Sequence, residues 1–175
     1  MKDSARRRGA ILGLVAACLL GGLVAPAAHA LDAPTGKVLL TVSGALANAN
    51  DNGAASFDLA LLQQLPQSSF STRTPWYAQP RKFSGVLLRD LLAGVGAAPG
   101  AAIKAVALND YRVDIPVDDA ARHGAMLAFL LDDKPMSVRE KGPLVIIYPF
   151  DDKPELRDAV HYSRAIWQLR SLELK

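Results

Sequence analysis

Ala105-Val106-Ala107-Leu108-Asn109-Asp110-Tyr111-Arg112-Val113-Asp114-Ile115 is the stretch from which the fold is read most directly. Its first four residues are all apolar, as in a strand buried on both faces. Asn109 and Asp110 tolerate the tight backbone of a turn. Beyond them Tyr111, Val113 and Ile115 alternate with Arg112 and Asp114, the two-residue period of a strand with one face in the core.

Outward from this pair, short β-rich runs recur at residues 38–42, 70–74, 126–131 and 143–148. A last strand is expected over 166–174, with a bulge where the alternation of Ile166, Leu169, Leu172 and Leu174 slips. Helices are predicted between them. One runs from Phe57 to about Leu65, capped by Ser56 and closed by Pro66. A second spans 86–95, with Leu87, Leu88, Leu91 and Leu92 on one face and Gly94 and Gly96 at its end. A third covers 118–123 and stops at Gly124. Pro75 to Pro80 reads as a loop that contains Trp76 and Tyr77. Strands and short helices interleave irregularly, so the class is α+β, a mixed sheet with short surrounding helices, rather than a regular βαβ array.

The first thirty residues have the order of a secretory signal. Lys2, Arg6, Arg7 and Arg8 precede an apolar run from Ala10 to Ala25, and Ala28-His29-Ala30 supplies small residues for cleavage after Ala30. Two other readings stand beside removal. The run is 16 residues, short of the roughly 20 that span a bilayer as an anchor. Val15-Ala16-Ala17-Cys18 resembles a lipidation site, although the chain stays apolar after it. Arg7-Arg8 loosely matches a twin-arginine export signal. The expected organisation is a signal at 1–30, a loose leader at 31–36 and one domain at 37–175, located in the periplasm.

Four of the 20 Lys and Arg and one of the 17 acidic residues lie in that signal, so 16 of each remain and the net charge of +3 disappears. A neutral domain carries no electrostatic argument for nucleic acid. Cys18 is the single cysteine, which excludes disulfides, thiolate metal sites and a cysteine nucleophile from the domain. His123 and His161 are too few for a histidine metal cluster, so no metal is expected.

The residue types that carry chemistry gather in loops. Trp76 and Tyr77 sit beside Arg73, Asn109-Asp110-Tyr111 occupies a turn, and Arg139, Lys141 and Gly142 precede a buried strand. Read singly, Trp167 is a core residue, Tyr148 divides evenly between core and cleft, Arg139 with Glu140 reads as a surface pair, and Asp110 divides evenly between turn former and ligand contact.

Read in order, "TRTPWY" (72–77), "KFSGVLLRDLL" (82–92), "ALNDYRVDIP" (107–116), "KPMSVREKGPLVIIYP" (134–149) and "IWQL" (166–169) resemble the small exported members of the sulfite-oxidase-type molybdopterin-binding domain. The resemblance spans about 37–174. It implies a mixed sheet with helices around it and a pterin cleft formed by loops. In the enzymes of that family a cysteine upstream of the segment matching Phe83-Ser84-Gly85-Val86 binds molybdenum, whereas Phe70 to Trp76 here offers Ser71, Thr72 and Thr74. A hydroxyl is too hard and too weakly acidic to replace that thiolate. The expectation is therefore a pterin or molybdopterin-like ligand without molybdenum chemistry. Trp76, Tyr111 and Tyr148 would supply stacking faces, and Asn109 would supply a donor and an acceptor. Arg139 and Lys141 would meet a carbonyl or phosphate, and Gly142 would let its backbone approach closely. The small cysteine-free members look like periplasmic pterin-binding regulators that report occupancy to a membrane-bound partner, a cyclic-di-GMP enzyme or a sensor kinase. A molybdopterin-dependent oxidoreductase or its accessory subunit, and a protein–protein adaptor with a vestigial cleft, are the alternatives.

Overall fold

A computed structural model describes residues 31–175. The expected signal, its cleavage point and Cys18 lie outside the described residues. In chain order the elements are β1 (Leu40–Gly44), β2 (Ala55–Phe57), α1 (Leu59–Gln64), β3 (Gln67–Thr74), β4 (Tyr77–Leu87), α2 (Leu88–Gly94), β5 (Ala102–Ala107), β6 (Arg112–Pro116), α3 (Val117–His123), β7 (Met126–Leu131), β8 (Lys134–Pro135), β9 (Val145–Ile147), α4 (Ala159–Arg164) and β10 (Leu169–Leu174). Single 3-10 turns lie at Val138–Glu140 and Pro154–Leu156.

The strands form two sheets. The first has the order β2-β1-β10-β5-β6 and is mixed, because β1 runs parallel to β10 while the other pairs are antiparallel. The second, β3-β4-β7-β8 with β9 also on β7, is antiparallel throughout. One contiguous core joins residues of both sheets and the helices, among them Phe57, Phe83, Leu88, Leu127, Ile147 and Leu169. β7 pairs with β4 along one edge, and β8 and β9 also pair with it. Its run Met-Leu-Ala-Phe-Leu-Leu is almost wholly buried, as expected for a strand covered on both faces. At Gly85 a Cβ would come within 2.1 Å of the Leu127 carbonyl oxygen. Only glycine therefore lets β4 approach β7 where the ladder shifts register between Ser84 and Gly85.

The class and most elements match the sequence expectations, and the departures have local causes. Ser56 lies in β2, and Asp58 caps α1 instead, accepting from the Leu61 N–H at 2.9 Å. The expected loop at 75–80 shrinks to the two residues between Thr74 and Tyr77, because β4 starts at Tyr77 and includes Pro80. The missing proline N–H falls where the β3–β4 ladder shifts between Thr72 and Thr74. α2 begins at Leu88 because Val86 and Leu87 still pair with β7. The strand at 143–148 contracts to Val145–Ile147. The bulge in the last strand is present, between Leu169 and Ser171. The helix α4 has no counterpart in the sequence reading.

The leader is tied down rather than loose. The Asp58 carboxylate also accepts from the N–H groups of Gly36 at 2.7 Å and Thr35 at 2.9 Å, and Asn50 donates to the Asp32 carbonyl. These backbone hydrogen bonds, the Leu61 one first, hold the Asp58 carboxyl below its usual pKa. A lowered folded-state pKa stabilises the protein above the unfolded value near 3.9 and ceases to do so as pH falls through the folded value. Asp58→Asn keeps a capping side chain but removes the titration. Its melting temperature is therefore expected to fall less than that of the wild type between about pH 5 and about pH 3. Parallel pH profiles in thermal denaturation would refute this role.

Candidate functional site

A cleft of about 240 Å³ opens where three segments meet. The β3–β4 turn contributes Trp76, the β5–β6 turn contributes Asn109 and Tyr111, and the segment from α4 into β10 contributes Tyr162, Ser163, Trp167 and Gln168. The sheets thus place residues distant in sequence against one opening.

Each segment is anchored by polar contacts, most of them between residues distant in sequence. At the end of β3, Asp151 receives the Arg73 N–H at 3.0 Å and gives its own N–H to the Thr72 hydroxyl at 3.1 Å. Arg157 in turn donates to Asp151 at 2.6 Å and to the Phe150 carbonyl at 2.8 Å. Thr72 is fully buried, so its hydroxyl is a structural acceptor beside the turn that presents Trp76. In the β5–β6 turn Asn109 Oδ1 accepts from the Tyr111 N–H at 3.1 Å. That bond commits the amide oxygen and leaves the amide NH₂ as the donor. Asp110 adopts a left-handed φ of 64° and accepts from Arg170 at 2.6 Å, as a turn former. Asp158 caps α4 through the His161 N–H at 2.8 Å, and the Tyr111 hydroxyl donates to the Ser163 carbonyl at 3.1 Å. Gln168 donates from Nε2 to the Val138 carbonyl at 2.8 Å, which leaves its Oε1 as an acceptor.

The cleft wall is aromatic. Trp76 meets Trp167 edge-to-face, with centroids 4.9 Å apart and planes at 85°, and Tyr162 at 6.0 Å and 82°. Contacts of this geometry are worth about 0.5–1.5 kcal/mol each beyond the area they bury. Tyr77 backs Trp167 at 6.0 Å, with the Arg81 guanidinium 4.8 Å from the Tyr77 ring. Phe150 backs Tyr162 at 4.9 Å. Among the described residues, the lining includes no His, Asp, Glu, Lys, Arg or Cys.

Of the residues expected from sequence, Trp76, Asn109 and Tyr111 come together here, and the others lie elsewhere. Lys141 does not line the cleft, and its ammonium lies over the Trp167 ring, 5.4 Å from the centroid. Arg139 is exposed on the 3-10 turn and does not line the cleft. Tyr148 is fully buried and offers no face to a ligand. Its hydroxyl donates to Asp119 at 3.2 Å, and burial, with the Asp119 charge, pushes the phenol far above its ordinary pKa, so it stays protonated. Gly142 is buried, and its N–H is taken by the Ser137 carbonyl at 2.8 Å. Its lack of a side chain serves packing, since a Cβ there would come within 2.3 Å of the Met136 carbonyl oxygen and 2.4 Å of its Cβ. Trp167, read as core, is half-buried and walls the cleft. Tyr162, Ser163 and Gln168 escaped the sequence reading. The signal for the first two was the capping aspartate Asp158 ahead of Ala159-Val160-His161, which marks a helix start. His123 and His161, read as too few for a histidine metal cluster, meet edge-to-face with ring centroids 5.5 Å apart beside Asp119.

A scan against protein families matches residues 50–150 to the oxidoreductase molybdopterin binding domain. The chain belongs to this family. The molybdopterin-binding domain also resembles the sulfane dehydrogenase SoxCD from Paracoccus pantotrophus, with a TM-score of 0.56 at 16% identity, over 77% of this chain and 37% of that one. At that identity the likeness establishes a shared sulfite oxidase-like fold, of which this chain spans little more than a third of the relative's length. No curated protein matches the sequence.

The packing role of Gly142 is directly testable. Gly142→Ala is expected to destabilise the domain by about 1–3 kcal/mol in urea denaturation, the usual cost of overpacking. Wild-type stability would show that Met136 yields and that the close approach does not matter.

Proposed function

We propose that this molybdopterin-binding domain is a periplasmic pterin-binding protein that does no molybdenum redox chemistry and reports ligand occupancy to a membrane-bound signalling partner. The observation that carries the proposal is the cleft lining, aromatic faces with a few fixed polar groups and no acid–base or nucleophilic side chain beyond phenols and hydroxyls.

A pterin supplies a flat heteroaromatic body and an edge of alternating donors and acceptors. The residues present fit both parts. Trp76, Tyr162 and Trp167 provide apolar faces, the Asn109 NH₂ provides a donor and Gln168 Oε1 an acceptor. A cleft of about 240 Å³ is smaller than the roughly 300–1,000 Å³ of sites for drug-sized ligands. It suits one fused ring system better than a dinucleotide. The metal-binding half of the cofactor does not fit. In the stretch where the resemblance to the enzymes calls for a thiolate stand Ser71, Thr72 and Thr74, of which Thr72 is buried and bonded to Asp151, and the one cysteine is Cys18, ahead of the domain. The export signal supports a periplasmic setting, and the exposed β5–β6 turn and α4 give a partner surfaces that ligand binding would stiffen.

Calorimetric titration with tetrahydrobiopterin tests the binding. Trp76→Ala is expected to weaken it by roughly 5- to 150-fold, the equivalent of about 1–3 kcal/mol of lost stacking. Arg139→Ala, outside the lining, is expected to leave it near wild type. Metal analysis of protein purified from the periplasm should find no stoichiometric molybdenum. One tightly held molybdenum per chain, or equal affinity in wild type and Trp76→Ala, would overturn the proposal.

A further inference from the structure

We propose that Asp119, His123 and His161 form a binding site for one divalent transition-metal ion of the zinc type, which ties α3 to α4 behind the aromatic cleft. A donor atom from each side chain lies within 4.8 Å of the others. Zinc bonds to imidazole nitrogen and carboxylate oxygen of about 2.0–2.2 Å place tetrahedral neighbours about 3.4 Å apart. The three groups thus need to close by little more than an ångström, a movement within reach of two half-buried histidine rings at helix termini. Two imidazoles and one carboxylate suit zinc, nickel, copper or iron, and do not suit magnesium or calcium, which take oxygen donors.

The surroundings are those of a ligand set held in place from outside. His161 Nδ1 lies 2.9 Å from Asp158 Oδ2. A proton donated there fixes the tautomer and leaves Nε2 with its lone pair, the carboxylate–imidazole arrangement that raises the basicity of a metal-bound histidine. Asp119 is buried, and its Oδ2 accepts from the Tyr148 hydroxyl at 3.2 Å and from Arg164 at 2.9 Å. Both bonds fall on Oδ2, which leaves Oδ1 without a hydrogen-bond partner among the described residues. Arg164 also offsets part of the carboxylate charge, which lessens its attraction for a cation.

The site is independent of the pterin proposal but touches the same element. α4 has no buried residue of its own and bears Tyr162 and Ser163 on the cleft side. A metal bridge from His161 to α3 would hold that wall from behind.

Untagged protein, stripped with chelator and titrated calorimetrically with zinc chloride, is expected to bind one ion per chain and to melt at a higher temperature with zinc than without. His123→Ala and His161→Gln should each weaken zinc binding by at least about tenfold. Asp158→Asn keeps the helix cap, since Asn and Asp cap equally well, and should weaken binding severalfold. Melting without zinc checks that each variant folds. If His161→Gln does not fold, His123→Ala decides. Less than one zinc per chain in the wild type, or wild-type affinity in the folded histidine variants, would overturn the site.

Discussion

The edge-to-face contact between Trp76 and Trp167, 4.9 Å apart, is the constraint around which the cleft is organised. Trp76 comes from the turn of the antiparallel sheet and Trp167 from the approach to the central strand of the mixed sheet. One ring pair therefore joins the two sheets at the point where the cleft opens. The contact is available because each ring is delivered by a firmly held segment. The Thr72–Asp151–Arg157 set of hydrogen bonds secures the first, and Gln168, bonded to the 3-10 turn, secures the second. Trp76 also meets Tyr162 and Trp167 also meets Tyr77, so the ring pair is held in place by the fold itself. Preorganisation of that kind lowers the ordering cost of binding.

Thr72 has a structural task in the same arrangement. Its hydroxyl is buried and accepts the Asp151 N–H, which fixes the end of β3 beside the turn that carries Trp76. Family membership and fold place this chain among molybdopterin-binding domains, and the proposed function gives it the organic part of the cofactor without the metal. The proposal is compatible with the family, because a fold carries a binding cleft whether or not the residues for chemistry are present.

Much of the fold was legible in the sequence because hydrophobic period is a strong signal for strands such as β6 and β7 and for the leucine face of α2. Boundaries were less legible where tertiary pairing overrode local pattern. β4 runs through Pro80 because a register shift accommodates a residue without an N–H, and Ser56 is in a strand because β1 is there to pair with it. The site was legible in half. Trp76, Asn109 and Tyr111 stand at turns, where an aromatic or amide side chain is conspicuous. Tyr162 and Gln168 sit in a segment without periodicity, and Tyr148 and Gly142 are explained by packing against Asp119 and Met136, which are far away or hidden in the linear order. The pairing of His123 with His161 depends on how α3 and α4 meet, which no local pattern encodes.

Both tryptophans of the chain, Trp76 and Trp167, line the cleft, so intrinsic tryptophan emission reports on this site and no other. Titration with tetrahydrobiopterin, corrected with free tryptophan amide, is the most direct measurement. Saturable quenching of both residues with one ligand per chain is expected if the pterin lies against this wall. Quenching no greater than that of the free amide would place the ligand elsewhere or show that none binds.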